Sequence, residues 1–132
     1  MKAFQKISII WAVTLVAFIS LLVSSGQRYG DITVEEAAYL IDSRPRLIIV
    51  DVRTPAEFKE EHLEDAINLC IQCDPDSFIT NLDPDEEILL YCHSGVRSAD
   101  GLRILNANGY EKVYNMLGGI IEWKEKGHPV VD

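Results

Sequence analysis

Six consecutive residues, Cys92-His93-Ser94-Gly95-Val96-Arg97, combine a nucleophile, a glycine and a fixed cation. They follow the apolar run Ile88-Leu89-Leu90-Tyr91 and precede a helical pattern over Ser98 to Asn108. A buried strand thus hands a cysteine to a tight loop, and the loop opens a helix. Backbone N–H groups in such a loop, with a helix N-terminus, form a cradle for negative charge. Such surroundings lower a thiol pKa from ~8.5 into the range ~3.5–7.5. The expected chemistry is a nucleophilic Cys92 thiolate beside an anion site built from His93, Ser94, Gly95, Val96 and Arg97. The competing reading is an inert, packed thiol, because free cysteine is among the most buried residue types.

Other residues bear on the same chemistry. Asp51 and Arg53 end a second apolar run, Leu47-Ile48-Ile49-Val50, and either brace the loop as an ion pair or cap their own strand. Gly118-Gly119 follows a third run, Val113-Tyr114-Asn115-Met116, and permits tight packing. His93 reads as substrate-selecting or as solvated, His62 as a backbone partner, Trp123 as core and His128 as surface. The acidic runs Glu35-Glu36, Glu60-Glu61 and Asp85-Glu86-Glu87 read as solvated faces.

Cys70 and Cys73 form a Cys-x-x-Cys pair. Zinc as a rule needs four ligands, and no second pair exists. A disulfide here closes a very short loop and stabilises little. A redox role is the third option: Cys73, or else Cys70, resolving an oxidised or persulfidated Cys92 by a disulfide. No metal or cofactor is called for.

The elements that must position these groups follow from periodicity and punctuation. Thr33 with Glu36 forms a capping box that opens a helix, with Val34, Ala37, Ala38, Leu40 and Ile41 on its apolar face. Thr54-Pro55 starts a short helix through about Glu60. Ala66 to Leu69 reads as a short strand, Asp74 to Leu82 as carrying a short helix, and Asp83-Pro84-Asp85 as a turn. Gly109 ends the helix after the cysteine loop, and a last helix runs from Ile120 to Lys126. Continuous apolar strands alternating with helices predict an α/β fold with a mainly parallel sheet flanked by helices. Sites in such sheets lie beyond the C-terminal strand ends. Asp51-Val52-Arg53, the Cys92 loop and Gly118-Gly119 all fall there.

The chain has 132 residues and a net charge of −9. Ile7 to Val23 is apolar apart from Ser8, Thr14 and Ser20, with Lys2 and Lys6 ahead of it. This predicts an N-terminal hydrophobic helix over residues 1–26, acting as a signal peptide or a signal anchor, before a domain over 27–132. Ser24 to Gly30 reads as the linker. The two lysines stay on the cytoplasmic side, so the domain is expected to be extracytoplasmic, periplasmic or on the outer face of the cytoplasmic membrane. Without Lys2 and Lys6, 10 basic residues face 21 acidic ones, near −11. That balance argues against nucleic acid as a partner and requires a local cationic pocket for any anionic substrate.

Taken together, these residues resemble the rhodanese-like domain family of single-domain sulfurtransferases. The likeness spans roughly residues 30 to 130. It rests on Asp51-Val52-Arg53 with Glu57-Phe58, His62 with Ala66-Ile67-Asn68, the Cys92–Arg97 loop, and Gly118-Gly119-Ile120 with Trp123. Glu61 and Cys70 depart from the glycine and proline frequent in the family. The resemblance implies that Cys92 holds a sulfane sulfur as a persulfide, stabilised by the loop amides and Arg97. The donor is then a small sulfur-containing anion such as thiosulfate, or a persulfide, and the acceptor cyanide or a thiol. A membrane-tethered module binding a protein partner, or a thiol redox protein, is the alternative. Phosphatases and arsenate reductases of this fold have a loop one residue longer, with arginine six positions after the cysteine. Here that position is Ser98, which matches the sulfurtransferase form.

Overall fold

The computed structural model describes residues 28–132. Five parallel strands form one sheet in the order β1-β5-β4-β2-β3: β1 Gly30–Ile32, β2 Ile48–Asp51, β3 Ile67–Asn68, β4 Ile88–Tyr91 and β5 Val113–Met116. Between and after them lie α1 Val34–Ser43, α2 Pro55–Glu60, α3 Pro75–Thr80, α4 Val96–Ala107 and α5 Gly119–Glu125. The expected helical segment over residues 1–26 lies outside the described residues. Among the described residues no helix is long and apolar enough to cross a membrane.

All four residues of β4 are fully buried, as are those of β5. Alternation along the strands divides their side chains between two cores. Leu89, Tyr91, Tyr114 and Met116 pack with Val34, Ala37 and Leu40 of α1 and Ile120 and Trp123 of α5. Ile88, Leu90, Val50, Val52 and Cys92 pack on the other face with Phe78 of α3 and Leu105 of α4. Apolar character on both faces explains why these strands read as continuous runs rather than as alternating patterns.

Local signals place most boundaries. Thr33 and Glu36 form the expected capping box, and Thr54 with Glu57 forms a second one ahead of α2. Asp74 caps α3 by accepting from Ser77 N at 3.0 Å, and this short helix lies within the expected span. One expectation needs correction. Gly30 belongs to β1 and not to the linker: it lies opposite Tyr114, with Ile32 opposite Met116. Three residues show no period of their own, so only the neighbouring β5 identifies this edge strand.

Candidate functional site: a cysteine cradle at the C-terminal sheet edge

The site is built where β2, β4 and β5 end. Cys92 is the first residue past β4, and its side chain points into the α3/α4 core, 1% exposed. Gly95 then takes φ +98°, a left-handed conformation that L side chains rarely adopt. A Cβ there would also come within 3.1 Å of Gly118 N. This reversal turns the Gly95 amide onto the Cys92 Sγ at 3.1 Å. The first turn of α4 adds the Ser98 hydroxyl, which donates to the same sulfur at 3.3 Å.

The loop is held from behind by α5. Ile120 N donates to Cys92 O at 2.9 Å and Ile121 N to His93 O at 3.2 Å. This approach requires Gly119, because a Cβ would lie 2.3 Å from His93 O and 2.6 Å from Cys92 O. With the loop carbonyls engaged by α5, its amides remain for the sulfur. Burial pushes the Cys92 thiol pKa up. Hydrogen bonds from the Ser98 hydroxyl and from the Ser98, Gly95 and Ser94 amides outweigh it, and the pKa lies below the ordinary value. The cradle therefore favours a thiolate, or any anion in its place.

The two arginines occupy different positions. Arg53 and Asp51 are paired in the interior, with Arg53 Nη2 to Asp51 Oδ2 at 2.7 Å. Arg53 Nη2 also donates to Glu61 O at 2.7 Å, and Asn68 Nδ2 donates to the carbonyls of Asp51 and Arg53. Val52 N donates to Tyr91 O at 3.0 Å, which connects this buried pair to the residue before Cys92. Arg97 is at the mouth and grips Glu57 with two bonds of 2.9 Å. Its charge is thus shared with a carboxylate rather than devoted to the sulfur. The Arg97 guanidinium draws the Glu57 carboxyl down to about 2.

Of the remaining loop residues, His93 and Ser94 are exposed, and Val96 is 69% exposed. His62 makes backbone contacts, with Nδ1 2.8 Å from Phe58 O and an antiparallel bridge to Val131. Trp123 is core, its Nε1 donating to Pro129 O. His128 is half-buried rather than a free surface residue, because it stacks on Trp123 with ring centroids 4.4 Å apart.

Cys70 and Cys73 are joined to each other, and Cys92 is free. Of the three options for the pair this is the local disulfide, and a direct link to Cys92, the redox option, is not present. Asn68 lies opposite Asp51, and Asp51 opposite Tyr91, so β2 stands between the strand that precedes Cys70 and the strand that precedes Cys92.

Sequence reasoning missed Glu57 and Ser98 as direct partners of the loop. Glu57 is 40 residues from Arg97, and its capping box was the one signal that fixed its place. Ser98 sits in the first turn of α4, where a hydroxyl reaches back to the sulfur.

A cleft of about 400 Å³ borders the loop at Arg97 and continues along Asp100, Arg103 and Ile104, with Ile71 and Gln72 as its other wall. A larger one, about 690 Å³, lies at the opposite sheet end among Arg44, Arg46, Asp85, Glu87 and Lys112. Neither cleft is lined by Cys92, and of the two only the smaller touches the cysteine loop, through Arg97.

Residues 33–126 match the model of the Rhodanese-like domain. A sulfurtransferase of Allochromatium vinosum is 36% identical over 85 residues, covering 64% of this chain and 78% of the relative. The thiosulfate sulfurtransferase GlpE of Coxiella burnetii is 31% identical over 104 residues, covering 79% of this chain and 94% of that protein. Among solved structures, a rhodanese-related protein from Thermoplasma volcanium superposes with a TM-score of 0.68 at 29% identity, over 78% of this chain and 98% of that one. With its five-stranded parallel sheet and this cysteine loop, the chain belongs to the rhodanese-like domain family.

Proposed function

We propose that the protein is a thiosulfate sulfurtransferase-like enzyme whose sulfur carrier is Cys92. The observation behind this reading is the Cys92 Sγ, buried and hydrogen-bonded by Gly95 N and Ser98 Oγ in a six-residue cradle. The Cys92 thiolate attacks the outer sulfur of thiosulfate. The sulfur–sulfur bond of the donor breaks and sulfite leaves with the bonding pair. Cys92 then holds a persulfide whose terminal sulfur carries the negative charge, beside the Ser94, Gly95 and Ser98 amides that already serve the Cys92 sulfur. A thiophilic acceptor, cyanide or a thiolate, takes the terminal sulfur and restores the thiolate. Two displacements through one covalent intermediate give ping-pong kinetics. Asp51 and Arg53 brace the loop from the interior and touch no reactant.

The names of the relatives support this reading, since they include sulfurtransferase and thiosulfate sulfurtransferase. The test is intact mass of the reduced chain after mixing with thiosulfate. A gain of one sulfur at Cys92, absent in Cys92→Ser, is the expected result; an unchanged wild-type mass sinks the mechanism. A second reading, a protein-docking module with little turnover, draws on Val96 and Leu117, which are 69% and 43% exposed beside the loop. The same mass measurement separates the two.

Residues 1–26 act in this proposal as a signal peptide or signal anchor, with the domain of residues 27–132 outside the cytoplasm. Lys2 and Lys6 support that orientation. A reporter active only outside the cytoplasm, fused after Asp132, should be active; a fusion active only inside overturns the assignment.

A further inference from the structure

The Cys70–Cys73 disulfide takes no part in the transfer just described. Nor does it add much to overall stability, because so short a loop removes little freedom from the unfolded chain. The turn is already closed by its backbone, with Cys73 N and Asp74 N both donating to Cys70 O at 3.2 and 3.3 Å. What the bond brackets is more informative. Ile71 and Gln72, the two residues between the cysteines, form one wall of the cleft that reaches Arg97 of the cysteine loop. Ile71 is buried in the same core as Cys92, and its amide donates to Val52 O at 3.2 Å. Val52 N in turn donates to Tyr91 O, next to Cys92. A short chain of backbone contacts thus runs from the disulfide turn to the nucleophile.

The sulfurs also differ in access. Cys73 is exposed and Cys70 half-buried, whereas Cys92 is 1% exposed. A soluble reductant therefore meets the disulfide before it meets the nucleophile.

We propose that the Cys70–Cys73 disulfide is a reducible clamp that positions the Ile71–Gln72 wall opposite Arg97, where the cysteine loop offers its cation to the anionic sulfur donor. Its effect on turnover rests on the sulfurtransferase reading above. The reductant is a dithiol. One of its thiolates attacks Cys73 Sγ, breaking the Cys70–Cys73 bond and releasing Cys70 as a thiolate. Its second thiol then displaces Cys73 from the mixed disulfide. Two electrons and two protons pass to the protein, and the reductant leaves as its own disulfide. With the clamp open, the wall gains freedom and the donor is held less well.

The test uses the full chain, purified in detergent, in three forms: oxidised, reduced with dithiothreitol and desalted, and Cys70→Ser/Cys73→Ser. Thiosulfate:cyanide transfer should show a KM for thiosulfate several-fold higher in the reduced form and the double variant, with kcat little changed. Reoxidation with oxidised dithiothreitol should restore the KM of the wild type but not of the variant. Alkylation and peptide mapping should show Cys70 and Cys73 opening together. Hydrogen exchange should quicken at residues 71–72 and 96–98. An unchanged KM, or faster exchange confined to residues 70–74, overturns the clamp. A wild type that never gains sulfur at Cys92 overturns the transfer reading instead, and the exchange pattern alone then decides the clamp.

Discussion

Two guanidinium–carboxylate pairs flank the cysteine loop, and they differ chiefly in depth. Arg53 and Asp51 have side chains 4% and 0% exposed; those of Arg97 and Glu57 are 25% and 32% exposed. In the interior pair, Arg53 Nε lies 3.0 Å from each Asp51 carboxylate oxygen, and Nη2 makes the 2.7 Å bond to Oδ2. The backbone carbonyl of Glu61 takes a further donor. Burial pulls the Arg53 pKa down, and the Asp51 carboxylate more than offsets it, so the guanidinium stays charged. Such a pair is worth little against an apolar replacement, but removing one partner strands a buried charge. The mouth pair is partly hydrated, so breaking it costs much less. The comparison separates a buried ion pair from a partly hydrated one. Neither pair hydrogen-bonds the sulfur: that role falls to Ser98 and Gly95.

The largest effect should come from Arg53→Met, which leaves Asp51 unpaired. A loss of about 3–5 kcal/mol is expected by urea denaturation. Asp51→Leu/Arg53→Met should recover most of that loss, because it removes both charges. A single variant within about 1 kcal/mol of wild type would erase the distinction between the two pairs.

Next comes Ser98→Ala, which removes a donor to the sulfur while leaving both ion pairs in place. Hydrogen bonds to charged groups contribute about 1.5–3 kcal/mol. At ~1.36 kcal/mol per pH unit, the Cys92 pKa should rise by roughly 1–2 units. The pH dependence of iodoacetamide alkylation measures this directly. An unmoved profile would assign the lowered thiol pKa to the loop amides alone.

Glu57→Gln should have the smallest effect on stability, within about 1 kcal/mol for so exposed a pair. It also releases Arg97 from its carboxylate, so the KM for thiosulfate should fall. A rise would mean that Glu57 holds Arg97 in its working position. The acid behaviour has a definite sign. The Glu57 carboxyl titrates at about 2 in the fold and near ~4.3 in the unfolded chain. Its contribution is therefore complete above pH ~4.3 and is lost as pH falls toward about 2. Acid titration of wild type against Glu57→Gln should differ in that window and converge below it.

Ile48–Asp51, Ile88–Tyr91 and Val113–Met116 were legible as strands because both faces are buried and the runs are mostly apolar, with Asn115 alone breaking a run before its last residue. The capping box at Thr33 and the glycines around the loop were equally local. Such signals depend on neighbours within about four residues, which the sequence displays directly. The nucleophile and the ends of the cradle, Cys92 and Arg97, were readable for the same reason.

Other features arose only when distant segments met. Gly30–Ile32 became a strand because β5 offered an unpaired edge. Arg97 turned to Glu57 because α2 and α4 both begin at the same end of the sheet. Cys92 stayed outside the Cys70–Cys73 pair, with β2 lying between β3, which precedes Cys70, and β4, which precedes Cys92. The sequence by itself determined which residues carry the chemistry and which strands deliver them, because covalent neighbours control turns, caps and the burial of a run. The tertiary structure alone decided which charges neutralise one another and which thiols can meet, because those outcomes depend on distances set by strand order.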